Sequence, residues 1–446
     1  LLSALQMMSR RPPPPLLVPA DKAIDTVRAS ILLKAMTPEL ERRAKALAER
    51  QAEIMRIRRL AVLSSERLLT TESAQGDRRA QIEGLTARKT ALTAVLNADA
   101  DGRAVDLSGF RLLPGMIDLH GDGFERHVAP RRGAMLDPRG GIASVEAELA
   151  SSGITTAYLA QFWSWEGGMR GPEFARKVFA AISDLKADFA TDLRIQLRLE
   201  THLLAEFAAA EAELDAHGID YLVFNDHLQH DRLADGRRPK QLNGQALKSG
   251  RSPERHLEYM KSLHALGPDV PAALDALAER LRARGVRLGS HDDSTRADRD
   301  QAKARGVTIA EFPETLEAAE AAKAMGDGVV MGAPNVMRGA SHKGNVSAID
   351  LVGAGLCDAL ASDYHYQSLS NAALKLINDG VCDWATGWAL VSSGPARIMG
   401  LDDRGTIANG KRADLVVLDQ NNRIAAALAG GQVSYMRGAV AERFFG

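Results

Sequence analysis

From about residue 105 onward, short apolar runs alternate with amphipathic stretches of helical period, and this alternation constrains the fold more than any other feature. The runs are MIDLH (116–120), ITTAYLA (154–160), IQLRLE (195–200), IDYLVFND (219–226), VRLGSH (286–291), VTIAEF (307–312), GVVMGA (328–333) and ALASD (359–363). Helical windows fall between several of them, for example 271–284 and 315–325. Strands buried on both faces read as near-continuous apolar runs, and helices between them suit parallel pairing. Eight such strands predict a (β/α)8 barrel of about 250 residues. An open doubly wound sheet would use the same alternation, but no G-x-G-x-x-G or Walker-A loop supports its nucleotide-binding version.

The flanks have a different texture. After residue 400, GTIANGKRADLVVLD and QVSYMRGAV read as short strands joined by glycine turns. Before the barrel, RLAVL (59–63) and AVDLSGFRLL (104–113) are the segments suited to strands. The expected division is a Pro-rich tail and helix of unknown role at 1–58, then one part of a small β domain at 59–113. The catalytic barrel follows at 114–400, and the rest of the β domain at 401–446. Residues 37–59 read as a helix: Thr37 is a good N-cap, Pro38 suits the first turn, and Leu40, Leu47 and Ile54 recur every seven residues. Arg10 and Arg11 without an acid in the first 20 residues weakly resemble a targeting peptide. The stiff Pro12–Pro15 stretch favours a tail instead.

Charge and cysteine content narrow the function classes. Among 446 residues, 56 Lys and Arg balance 57 Asp and Glu, leaving a net charge of −1. That excludes a broad basic surface for nucleic acid. No run of about 18 apolar residues exists to span a membrane. Cys357 and Cys382 are too few for a disulfide framework, so a reducing, cytoplasmic setting is expected.

In a barrel, chemistry collects where strands end at the C-terminal face. Here the first strand ends in His120 and Asp122, the third in Glu200, and the fourth in Asp226 and His227. The fifth ends in His291, Asp292 and Asp293, and the eighth in Asp363. Eight of the 11 histidines (His120, His127, His202, His227, His230, His291, His342 and His365) lie at or just after these ends or in one later loop. One buried histidine is more often an ordinary core residue than a ligand, and Asp118 reads as a structural acid. Five strand ends bearing ligand-type residues together point instead to a metal centre.

Imidazole and carboxylate suit Zn, Mn, Fe or Ni better than Ca. Three imidazoles and three carboxylates exceed the needs of one catalytic ion. They fit two, zinc foremost, roughly 3.5–4 Å apart and bridged by a carboxylate and a hydroxide. His202 competes with Glu200 for one ligand position, and Glu200 is preferred because two ions need an anionic bridge. Asp226, Asp292, Asp293 and His127 would support the ligands from behind, with Asp292 and Asp293 interchangeable in that role. A second cluster, GAPNVMRGASHKGN (332–345), follows the seventh strand, where barrels often bind phosphate. Its Gly and Asn residues allow an anion-binding nest. Asn335, Arg338, His342, Lys343 and Asn345 are the candidate substrate contacts.

LLPGMIDLHGD (112–122) and NGKRADLVVLD (409–419) resemble the opening and closing signatures of the amidohydrolase superfamily. More specifically, the chain resembles the phosphonate-metabolism diphosphatases of the carbon–phosphorus lyase pathway. SHDDST (290–295), IAEFPETLEAAEA (309–321), VVMGAPNVMRGASHKGNV (329–346) and LASDYHYQSL (360–369) carry that likeness, with HGDGFERHVAPR (120–131) as a variant of the usual His-x-His. The likeness covers roughly residues 105–440.

It implies a barrel with a β-sandwich domain and hydrolysis of α-D-ribose 1-methylphosphonate 5-triphosphate to the 5-phosphate and pyrophosphate. By motif matching it implies His120, Asp122, Glu200, His227, His291 and Asp363 as metal ligands. Glu200 would bridge, and Asp363 would take the proton from the bridging water. The strand count places these ligands on strands one, three, four, five and eight, whereas the superfamily usually uses one, four, five, six and eight. A phosphorylated sugar substrate, carbon–phosphorus lyase components as partners, and a homo-oligomer are further implications.

The chain also departs from the family. LQHDRL follows Asp226-His227 where a Pro-Gly-Gln segment is usual, SDYHYQSL lacks a Pro, and Lys343 stands where Ser is usual. Two rival functions follow: a C–N hydrolase (cyclic amidase or deaminase) on the same barrel, and a non-catalytic scaffold with a degenerate site.

Overall fold

The computed structural model describes residues 104–129, 137–339 and 345–445, all within the unit Asn97–Gly446. The helix expected at 37–59, the strand expected at 59–63 and the Pro-rich tail lie outside the described residues.

Twelve strands follow in chain order: β1 (Arg111–Pro114), β2 (Met116–Gly121), β3 (Ile154–Trp163), β4 (Asp192–Glu200), β5 (Tyr221–Asn225), β6 (Arg287–His291), β7 (Ile309–Glu311), β8 (Gly328–Gly332), β9 (Ala359–Ala361), β10 (Leu415–Leu418), β11 (Ile424–Ala429) and β12 (Gln432–Met436). Strands β2 to β9 form one parallel sheet in sequence order, and each matches one of the eight apolar runs. The sheet curls back on itself. Gly121 bridges Asp363 in parallel, the Asp363 N–H donates to the His120 carbonyl at 2.9 Å, and the Asp122 N–H donates to the Asp363 carbonyl at 2.9 Å. The expected barrel is therefore the observed one.

Alternation along the strands sorts the core into two layers. On β4, Ile195, Leu197 and Leu199 pack outward with helix residues such as Val178 and Leu214. Gln196, Arg198 and Glu200 occupy the other face. Tyr158, Tyr221, Val223, Ile309 and Val330 form a separate inner cluster. The helix windows hold as Val270–Ala283 and Leu316–Ala324, the latter capped by the Thr315 hydroxyl accepting the Ala318 N–H at 3.1 Å.

The small antiparallel sheet runs β1-β10-β11-β12, so the segment just before the barrel pairs with the chain's end. The run QVSYMRGAV divides: β12 stops at Met436, and a helix, Gly438–Phe445, follows. Gly438 sits at φ 58°, a left-handed turn suited to glycine, and the turn lets Val440 pack beside Val417 and Ala426. Strand β11, in the alanine-rich IAAALA, lacks β-branched or aromatic residues beyond Ile424 and carries little strand signal of its own. Among the described residues no helix is long and apolar enough to cross a membrane, and both cysteines are free.

Candidate active site

Closure of the barrel assembles the site. The paired ends of β2 and β9 bring His120, Asp122 and Asp363 together, with one ligand atom from each within 4.8 Å of the others. Asp118 secures this seam from below. Its buried carboxylate accepts the Ser362 N–H at 2.9 Å, the Ser362 hydroxyl, and the His120 N–H at 3.3 Å. Its expected structural role is what the geometry displays.

A second group joins His120 to His291 and Glu311. Glu311 ends β7 and is fully buried. One of its oxygens faces His120 Nδ1 at 3.0 Å and His291 Nδ1 at 3.3 Å. The other accepts the Tyr221 hydroxyl at 2.7 Å and the Gln196 amide. Burial pushes the Glu311 carboxyl up, but the two imidazoles outweigh it and hold the group well below the usual carboxylate range. Burial likewise weakens proton binding at His120, and the Glu311 carboxylate more than restores it, leaving a ring more basic than usual. A carboxylate behind the Nδ1 atoms turns both Nε2 atoms toward the site, the arrangement that orients histidine ligands.

Arg198 lies across those Nε2 atoms. Its guanidinium reaches His291 Nε2 at 3.0 Å and His120 Nε2 at 3.4 Å, and donates to Asn225 Oδ1 at 2.9 and 3.2 Å. An N–H donated to His291 Nε2 requires the lone pair there and the proton on Nδ1, which therefore donates to Glu311. Sequence reasoning missed both Arg198 and Glu311. Glu311 had the same signal as the predicted ligands, a carboxylate at a strand end, inside VTIAEF. Arg198 had a subtler one: it lies two residues before Glu200 and so shares its face of β4.

The remaining predicted residues divide by location. Glu200 and His227 pair with each other through Oε1 and Nδ1, while Glu200 Oε2 accepts the His227 N–H at 3.2 Å and the Trp165 indole N–H at 3.1 Å. Among the described residues they join none of the three-donor groups. Asp292 and Asp293 separate cleanly. Asp292 sits at φ 61° and turns its Oδ1 to 3.7 Å from His291 Nε2. Asp293 turns away and accepts Arg299 at 2.8 Å and the Ser290 hydroxyl at 2.5 Å. His127 is bound to Glu148 at 2.5 Å, outside the metal-type groups. Asp226 joins His202 and His230 in a third group.

In the loop after β8, the Asn335 Oδ1 accepts the Ala348 N–H at 3.1 Å and the Asn345 amide donates to Glu314 at 3.0 Å, so both hold the loop itself. The Arg338 chain is exposed, and its charge acts on Asp363. His342 and Lys343 lie outside the described residues.

Asp363 combines strain with a shifted carboxyl. It is a non-glycine residue at φ 57°, and its carboxyl is raised to about 6 by burial and by the neighbouring charge of Asp122, with His120, Arg198 and Arg338 opposing. Glu125, one turn after Asp122, is raised to about 6 for the same two reasons. The donor chemistry of His120, Asp122 and Asp363 fits a divalent transition metal: one imidazole and two carboxylates converge, and Glu311 fixes the imidazole from behind.

Comparison with known proteins agrees with this reading of the fold. The sequence matches the amidohydrolase family over residues 139–428. The alpha-D-ribose 1-methylphosphonate 5-triphosphate diphosphatase of Escherichia coli (strain K12) is 34% identical over 322 residues, covering 70% of this chain and 84% of that one. Among solved structures, a triazine hydrolase variant has a TM-score of 0.50 at 13% identity, covering 77% of this chain and 88% of its own, a likeness of fold alone. A mutant N-acetyl-D-glucosamine-6-phosphate deacetylase from Mycobacterium smegmatis has a TM-score of 0.49 at 14% identity, with 76% and 91% covered.

Proposed function

The chain belongs to the amidohydrolase family, and from that premise we propose that it hydrolyses α-D-ribose 1-methylphosphonate 5-triphosphate to the 5-phosphate and pyrophosphate. The observation that carries the substrate is the 34% identity, across 84% of its length, to the Escherichia coli enzyme of that activity. The site's chemistry supports the hydrolytic part, through three converging metal-type donors, one of which, Asp363, has its carboxyl raised to about 6.

We assign His120, Asp122 and Asp363 to one divalent ion, zinc foremost, with His291 beside it. Glu200 and His227 are the donors proposed for a second. When bound, such ions supply a water that ionises near neutral pH and positive charge for phosphoryl oxygens. The protein's own groups do the rest. Glu311 holds the imidazoles in place. Asp363 accepts the proton of the attacking water on its carboxylate. The water oxygen bonds to the phosphorus next to the ribose 5-oxygen, the bond from that phosphorus to the bridging oxygen breaks, and pyrophosphate leaves with the electron pair. Arg338, whose charge already acts on Asp363, is assigned to balance polyphosphate charge, and His342 and Lys343, in the same loop of the sequence, are assigned the same task. Carbon–phosphorus lyase components are the partners this reading names.

The test is direct. Purified protein loaded with zinc or manganese is given the ribose triphosphate, and products are followed by phosphorus NMR. Pyrophosphate and the 5-phosphate are expected in equal amounts. A folded, metal-loaded protein that releases neither overturns the substrate, and turnover of a cyclic amide or amine in a parallel panel would replace it with a C–N hydrolase.

A further inference from the structure

Outside the donors just assigned, a group of three histidines and one aspartate draws four segments together. His202 follows the end of β4, and Asp226 follows β5. His230 opens the helix His230–Ala234, and His264 closes the helix Pro253–His264. The last two belong to the long excursion between β5 and β6, which also contains the helices Leu242–Ser249 and Val270–Ala283.

The contacts are specific. Asp226 Oδ1 accepts the Leu228 N–H at 3.1 Å, which steadies the carboxylate. Asp226 Oδ2 lies 2.9 Å from His230 Nε2 and 3.5 Å from His202 Nδ1. The other nitrogen of His230, Nδ1, lies 2.8 Å from His264 Nδ1. The His202 and His230 rings are 4.6 Å apart, centroid to centroid. One ligand atom each from His202, Asp226 and His230 falls within a 4.8 Å span.

We propose that His202, Asp226 and His230 form a separate zinc site that clamps the β5–β6 excursion to the end of β4. A tetrahedral zinc with bonds of about 2.0–2.1 Å sets neighbouring donors about 3.3–3.4 Å apart. The two distances to Asp226, 2.9 and 3.5 Å, bracket that spacing, and all three donor atoms already fall within 4.8 Å of one another. Two imidazoles and one carboxylate select zinc or a similar transition metal over calcium or magnesium. His264 completes the arrangement from behind. With His230 Nε2 on the metal, the proton belongs on Nδ1, where it is donated to His264 Nδ1, as a ligating histidine's second nitrogen normally does. His202 is nearly buried, whereas Asp226 and His230 keep roughly a third of their side chains exposed, leaving a fourth position open to water.

The site is independent of the catalytic reading. Its donors are not His120, Asp122, Asp363, His291 or Glu311, and neighbouring Glu200 and His227 are paired with each other.

The experiment compares zinc-loaded full-length parent, H230A, H264A and H120A by elemental analysis after desalting and by limited proteolysis between residues 226 and 286. H230A is expected to hold one zinc fewer per chain than the parent, while H120A keeps that equivalent. Proteolysis in the excursion should quicken in H230A and in chelator-treated parent, and added Zn2+ should slow it only in the parent. H264A should bind this zinc about 10–100-fold more weakly. The proposal is overturned if H230A and the parent hold equal zinc, if H120A and H230A lose the same equivalent, or if zinc gives the parent no protection. Should H230A fail to fold, an unchanged zinc affinity in H264A overturns it as well.

Discussion

The amide of Asp363 donates to the carbonyl oxygen of His120 at 2.9 Å, locking the last barrel strand to the first where both present metal-type side chains. Asp118 reinforces that seam through the Ser362 amide at 2.9 Å and the Ser362 hydroxyl. Ser362→Ala removes one donor from a fully buried carboxylate. It should cost about 1–3 kcal/mol of stability, read as a lower urea midpoint with an unchanged slope. Stability equal to the parent would show that the hydroxyl does not hold the seam.

Glu311 supports two imidazoles at once. Glu311→Gln keeps the volume but replaces the carboxylate with a neutral amide, so ring orientation and basicity both suffer. Metal affinity should fall about 10–100-fold, as measured by titration against a competing chelator. An affinity within twofold of the parent would remove Glu311 from the metal centre.

Asp363 makes metal binding depend on pH. Its carboxyl titrates near 6 in the metal-free chain, and the protonated acid is a poor ligand. As pH falls through 6, protons compete with the ion and apparent affinity drops, about tenfold per pH unit for each proton displaced. Asp363→Asn should flatten this dependence and lower kcat by about 10²–10⁴-fold. The same shift has a stability sign. Because the folded value lies above the ordinary 3.8, this group favours the folded metal-free chain at low pH, and that contribution is lost as pH rises through about 6. Melting curves of metal-free parent and variant at pH 4 and 7 test the sign.

Arg198 holds a positive charge against two ligand nitrogens. Arg198→Met removes it while keeping an apolar stem over Phe162, whose ring lies 4.0 Å from the guanidinium carbon. Zinc binding at His120 and His291 should tighten at least about tenfold, since a like charge near the ion is removed. Stability should fall by about 1–3 kcal/mol because Asn225 Oδ1 loses its donors. Unchanged zinc affinity would mean that the guanidinium does not oppose the ion.

Arg338 is the described cation closest in role to the proposed triphosphate. Arg338→Ala should raise KM about tenfold or more through loss of a charge-assisted contact, with a smaller effect on kcat. The KM difference should shrink at high salt. An unchanged KM at low salt would remove Arg338 from substrate binding.

The strand-end logic worked where topology alone decides proximity. His120, Asp122, His291 and Asp363 are legible because every parallel strand of a barrel ends on one face. Glu200 and His227 obey the same logic but pair with each other, because neighbouring strands β4 and β5 place them side by side. Glu311 escaped attention because VTIAEF reads as a core strand with an incidental acid. Arg198 escaped because an arginine in a strand suggests solvent, and only closure of the sheet sets the inner face of β4 opposite His120. Asp292 and Asp293 could not be ordered from adjacent letters. A left-handed φ at Asp292 turns one toward His291 and leaves the other to Arg299.

The sequence by itself determined the eight strands, their parallel order and the face on which polar chemistry gathers. These follow from local period and from the short reach of the connecting helices, both written in the order of residues. Only the tertiary structure decided which donors meet. That depends on contacts between residues such as His120 and Asp363, 243 positions apart, whose approach is set by how the barrel closes. The same closure buries Arg198 and Glu311 against the histidines and sets the protons and charges of the site, quantities no stretch of sequence carries alone.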